Sequence, residues 1–134
     1  MPFVPHRRVV LGALAIALVP AGAALAGGSS KVAMDEFTLK ASPKAATAGK
    51  VTFSVKNNGS DRHELVVIKT STAASKLPVS GGRASEKGRV GEAKNIAAGK
   101  SKSLTLSLKK GHYVLVCNLP GHYVGGMRSD FTVK

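Results

Sequence analysis

The chain has 134 residues, 43% of them hydrophobic, with 20 Lys and Arg against 7 Asp and Glu, a formal net charge of +13. A single cysteine excludes an internal disulfide framework, and the length suits one domain rather than a multidomain enzyme. Aromatic residues make up only 4%, with no tryptophan, so no base-stacking platform is available and nucleic acid is not the expected partner of so basic a chain.

The N-terminus opens with the positive flank His6-Arg7-Arg8, an apolar run from Val9 to Val19, and Ala24-Leu25-Ala26 before Gly27. This is the layout of an export signal with a small-x-small cleavage site, so residues 1–26 are read as a signal peptide and 27–134 as a single domain, periplasmic or extracellular in the cell envelope. An uncleaved anchor is the competing reading, but Gly12, Pro20 and Gly22 interrupt the run and no basic stop-transfer segment follows. Arg7-Arg8 leaves Sec and twin-arginine export both open. Without Arg7 and Arg8 the net charge of +13 falls to +11. Such a charge suits an acidic protein partner or an anionic envelope surface, or serves solubility alone.

Beyond the signal, hydrophobicity alternates with period two between short turns, the pattern of strands. Strands are expected at Val32–Leu39, Val51–Val55, Glu64–Thr70, Val90–Ala97, Leu104–Leu108, Gly111–Cys117 and Met127–Val133. Turns fall at Asn57-Asn58-Gly59-Ser60, Ala98-Gly99-Lys100 and Lys109-Lys110-Gly111. The stretch Thr70–Arg89 breaks the pattern and reads as a long surface excursion with a helical turn at Thr72–Leu77. The sum is an all-β, two-sheet antiparallel sandwich.

The lone cysteine lies between the last two expected strands, with four residues between Cys117 and His122 and four more between His122 and Met127. In an exported protein such a thiol is a liability, half of an intermolecular disulfide, or a metal ligand. A thiolate, an imidazole and a thioether on one loop suit copper, because soft sulfur favours Cu(I) and imidazole serves both oxidation states. Methionine is a poor zinc ligand. A second nitrogen is wanted from the chain's four histidines. His6 leaves with the signal, and His112 sits near the opposite end of the strand that Cys117 ends, too far at about 3.3 Å per residue. His63 opens a strand after a polar turn and completes the set; an ordinary exposed histidine there is the alternative. His112 and Met34 are assigned to a strand face and to packing.

With these residues assembled, the mature chain resembles the cupredoxins, the small type 1 blue copper proteins of the plastocyanin/azurin kind, through Cys117-x4-His122-x4-Met127, the upstream His63 and the loop Asn118-Leu119-Pro120-Gly121-His122. The resemblance implies a Greek-key sandwich with one copper ion at one end, held by His63, Cys117, His122 and Met127. It also implies a monomeric electron carrier that meets its redox partners at the His122 edge, ringed by Leu119, Pro120, Tyr123 and Val124. Many members carry asparagine directly after the first histidine ligand; here Glu64 stands there, with Asn58 and Asn118 as candidate substitutes for its loop-joining role. Val116 replaces the tyrosine of plant plastocyanins, whose acidic docking patch is also missing. Copper storage or delivery through the same ligands is the alternative function. A copper oxidase or reductase would need a second site with several more histidines than the mature chain has.

Overall fold

The computed structural model describes residues 26–134. The expected signal thus lies outside the described residues except for Ala26. Alternation is what makes the strands: in Gly49–Asn57, Val51, Phe53 and Val55 are buried while Lys50, Ser54 and Lys56 face water. In chain order the strands are β1 (Gly27–Asp35), β2 (Thr38–Ser42), β3 (Ala45–Ala46), β4 (Gly49–Asn57), β5 (His63–Lys69), β6 (Val79–Ser80), β7 (Arg83–Ala84), β8 (Arg89–Ile96), β9 (Ser101–Leu108), β10 (Gly111–Val116) and β11 (Arg128–Val133). A 3-10 turn spans Ala74–Lys76 and a single helical turn, α1, spans His122–Gly125.

Two sheets, ordered β2-β1-β4-β9 and β3-β11-β10-β5-β8, pack face to face as the expected sandwich. Both are mixed rather than purely antiparallel, because β1 pairs parallel with β4 and β3 parallel with β11. The cause is local: after the β1–β2 hairpin the chain crosses to the other sheet as β3, then returns alongside β1 as β4. Between the sheets lie Val32, Met34, Phe53, Leu65, Leu115 and Phe131, with Phe53 and Phe131 edge to face at 5.1 Å.

Two elements depart from the strands read in the sequence. The expected single strand Val32–Leu39 is a hairpin, β1 turning into β2 through Glu36 and Phe37. The Thr70–Arg89 excursion is tightly held: Ala74, Leu77 and Ala84 pack with Val66, Ile68, Val114, Val116 and Tyr123 in a second apolar cluster on the outer face of β5 and β10. That cover explains why both strands are apolar almost continuously rather than alternately. No helix among the described residues is long and apolar enough to cross a membrane.

Candidate metal centre

All four expected ligands converge at one end of the sandwich. His63 is the first residue of β5, Cys117 directly follows β10, His122 opens α1, and Met127 directly precedes β11. Because β5 and β10 are antiparallel, the start of one lies beside the end of the other, which brings residues 54 positions apart together. The Cys117 amide donates to the Met127 carbonyl at 3.1 Å, extending the β10–β11 ladder, and the Met127 amide donates to the His122 carbonyl at 3.1 Å. Met127 is thus fixed to both neighbouring ligands through its backbone, and its side chain is fully buried.

The three hard-placed donors form a nearly regular triangle. His63 Nδ1 and His122 Nδ1 are 3.2 Å apart, and Cys117 Sγ is 3.8 Å from the first and 3.5 Å from the second. A point equidistant from all three lies about 2.0 Å from each, the length of a first-row metal–nitrogen bond and a little under that of a metal–sulfur bond. The donor set and its spacing therefore fit a copper ion.

Each donor is oriented by a different device. His63 is wholly buried, and its Nε2 lies 3.1 Å from Glu36 Oε1, the carboxylate–histidine arrangement that leaves Nδ1 free for a metal. Glu36 is itself fixed by the Asp61 amide at 2.7 Å and the Ser60 amide at 3.1 Å. Those two bonds, more than its contact with His63, hold its carboxyl below the ordinary carboxylate range. Cys117 Sγ accepts the Glu64 amide at 3.3 Å. Burial pushes the thiol up, and the amides of Glu64 and Leu119 offset part of that rise by favouring the thiolate. His122 alone is partly exposed; burial and then the neighbouring His63 lower its basicity. The Phe37 ring meets it edge-on at 5.2 Å.

Glycine makes that last contact possible. A Cβ on Gly125 would come within 3.1 Å of the Phe37 ring, and one on Gly126, whose φ is 125°, within 3.0 Å of the Phe37 carbonyl. The Gly125-Gly126 pair therefore does more than turn the chain before Met127; it seats the β1–β2 turn on the ligand loop.

Several expectations about the surroundings are corrected. Asn58 does not join the ligand loops; its neighbour Asn57 instead ties the loop before His63 to the end of β8, donating from Nδ2 to the carbonyls of Asp61 and Ile96 at 2.7 and 2.9 Å and accepting the Gly59 amide at 2.9 Å. Asn118 binds the excursion instead, accepting the Ala84 amide at 2.8 Å and donating to the Ala84 carbonyl and to Glu86, both at 2.9 Å. Tyr123 is not part of an exposed rim. It is buried, its hydroxyl donating to the Ala74 carbonyl at 2.6 Å and accepting the Leu77 amide at 3.0 Å. The exposed apolar residues beside His122 are Val124 and Phe37, together with Pro120. Glu64 is buried beside the cluster; burial and then the charges of Glu86 and Glu92 raise its carboxyl, and its own charge adds to the rise of the Cys117 thiol. His112 stands outside the cluster, bonded to Asp130 at 2.8 Å.

Known proteins share this architecture. An auracyanin from the photosynthetic bacterium Roseiflexus castenholzii superposes with a TM-score of 0.60 at 23% identity, over 80% of this chain and 96% of that one. Auracyanin A, a "blue" copper protein from Chloroflexus aurantiacus, gives 0.59 at 18% identity over 81% and 99% of the two chains. Rusticyanin from Thiobacillus ferrooxidans gives 0.56 at 19% over 79% and 77%. These likenesses establish the cupredoxin fold. No curated protein sequence matches the chain. The sulfocyanin (SoxE) domain model matches residues 44–134, about two thirds of the chain, and the chain belongs to that family of cupredoxins, the blue copper proteins.

Proposed function

We propose that residues 27–134 form an exported, monomeric one-electron carrier that holds a single copper ion through His63, Cys117, His122 and Met127. The observation carrying this reading is the triangle of His63, Cys117 and His122 donor atoms, all within 4.8 Å of one another, at the end of the sandwich where Met127 is buried. Bound copper would supply the Cu(II)/Cu(I) couple. The chain's own contribution is to keep the donors still while the charge changes: Glu36 sets the His63 ring, the Glu64 amide sets the thiolate, and backbone bonds set Met127.

His122 is the one histidine of the set that reaches solvent, so it is the edge at which a redox partner would dock. Pro120, Val124 and Phe37 border that edge and require little desolvation of charge on contact. Export agrees with β1 beginning at Gly27, directly after the small-x-small stretch. Storage or delivery of copper is disfavoured by the burial of His63, Cys117 and Met127, which leaves an incoming chelator only the His122 side.

Copper added to the purified protein should give an intense blue colour with the matching EPR signal, and Cys117→Ser should abolish both. A colourless copper-loaded native protein would refute the carrier reading. Copper leaving for a chelator faster than electrons exchange between protein molecules would favour delivery.

A further inference from the structure

The two ends of the sandwich differ in charge. Four of the chain's seven Asp and Glu residues, Asp35, Glu36, Asp61 and Glu64, lie in the loops and strand ends at the metal end, among Lys56, Arg62, Arg83, Lys100 and Arg128. The opposite end is built from the start of β4, the end of β5, the β9–β10 turn and the C-terminus. Gly27 pairs with Lys50, Gly49 with Leu108, Gly111 with Val133, and Lys69 with Tyr113, while the Ala48 amide donates to the Lys134 carbonyl at 2.8 Å. Lys50, Lys69, Lys109, Lys110 and Lys134 are all exposed there. Residues 43–50, 108–112 and 133–134 contain no Asp or Glu, and the carboxylates nearest this end are each paired, Asp130 with His112 at 2.8 Å and Glu86 with Arg89 at 3.1 Å.

The chain enters the fold at the same end. Gly27 is the first residue of β1 and lies beside Lys50 and, across a shallow hollow, Lys134. Everything before it, including the apolar run that starts at Val9, joins the domain at this point. We propose that this lysine-rich end is a seat for an anionic lipid surface, which holds the metal end outward. The two features agree whatever becomes of residues 1–26. A retained apolar segment puts a bilayer against this end, and a removed one leaves the lysines, joined by a new α-amino group, as the attraction. An acidic protein partner would account for the lysines but not for their ringing the entry of an apolar segment. Lysine suits a lipid surface because its ammonium sits on a long stem that reaches within a Debye length of the headgroups.

The inference is independent of the metal and is tested on the protein as isolated, by its partition into phosphatidylglycerol vesicles relative to phosphatidylcholine vesicles. Taking the ratio cancels any insertion of a retained apolar segment. At low salt the ratio should exceed about 100, and Lys50→Gln with Lys109→Gln and Lys110→Gln should lower it by about 100-fold, roughly fivefold per lysine. The charge-matched set Lys31→Gln, Lys40→Gln and Lys100→Gln, on other surfaces, should change it less than about fivefold. Circular dichroism would confirm that both sets fold. A native ratio near one, a ratio unchanged in 1 M salt, or equal losses in the two sets would overturn the proposal. The last result would assign the attraction to net charge rather than to this end.

Discussion

The two histidines of the centre stand on opposite kinds of wall. His63 opens a strand buried on both faces, has no exposed surface, and is held from behind by a carboxylate that two loop amides fix in turn. His122 opens a single helical turn, reaches solvent, and is backed only by the edge of a half-exposed phenylalanine. In the proposed carrier this contrast would divide the labour of a redox site: one side would resist movement when charge changes, and the other would give a partner access. The turn that carries His122 is nonetheless anchored one residue later, where Tyr123 plugs into the outer apolar cluster and Arg128 donates to its carbonyl at 2.8 Å.

The largest test of this asymmetry removes each ring in turn. His63→Gly leaves a sealed cavity beside a carboxylate, whereas His122→Gly opens a slot to solvent. Added imidazole should therefore restore the blue colour of copper-loaded His122→Gly and not that of His63→Gly. Equal rescue of both, followed by absorbance, would show that the two walls do not differ. Next in size is Tyr123→Phe, which leaves the buried Ala74 carbonyl and Leu77 amide without their partner and should cost about 2–4 kcal/mol by denaturant unfolding. An unchanged midpoint would mean that the His122 turn does not depend on that plug.

Acidity sharpens the comparison further. In the metal-free protein the Cys117 thiol is raised by burial, so at neutral pH it is protonated and must lose a proton to bind a metal. His122 is lowered from its ordinary 6.5 and so is already neutral. Affinity for Co(II), read from thiolate-to-metal absorption, should rise about tenfold per pH unit through neutrality. The contribution of His122 to the slope should appear below the ordinary histidine range, where it takes up a proton. A slope near zero at pH 7 would contradict a protonated thiol in the metal-free protein. Glu36→Gln keeps an acceptor near His63 but removes a negative charge, which should disfavour Cu(II) and raise the reduction potential by about 50 mV in a voltammetric measurement. No shift would reduce Glu36 to a spacer.

How far the sequence discloses this centre follows from which of its interactions are local. Cys117, His122 and Met127 share one loop, so their spacing is visible in the chain, and the sandwich shows through alternations such as that of Val51, Phe53 and Val55. His63 is found by counting histidines, not by pattern. Glu36 and Phe37 escape because Val32–Leu39 alternates well enough to pass for one strand, and nothing local marks the turn that carries them to the site. Tyr123 misleads for a related reason: its neighbours in the loop are exposed, and only the distant excursion, folded over β10, supplies the Ala74 and Leu77 partners that draw it inward. The parallel pairs are likewise a property of how the chain crosses between sheets, which strand periodicity does not record.

The smallest expected effect bears on the residue that joins the two walls. Phe37 follows Glu36 in the β1–β2 turn, so the residue fixing His63 and the residue shielding His122 move as one. Its ring is 44% exposed, and truncation forfeits only part of a side chain's burial, so Phe37→Ala should cost about 1 kcal/mol or less of stability. Its effect on access should be easier to see. In the His122→Gly background, removal of the ring should widen the slot and lower the imidazole concentration needed for half-maximal colour by a few-fold. If the concentration rises instead, Phe37 holds the incoming ring by edge-to-face contact more than it obstructs it, and the exposed wall is organised for binding rather than only for access.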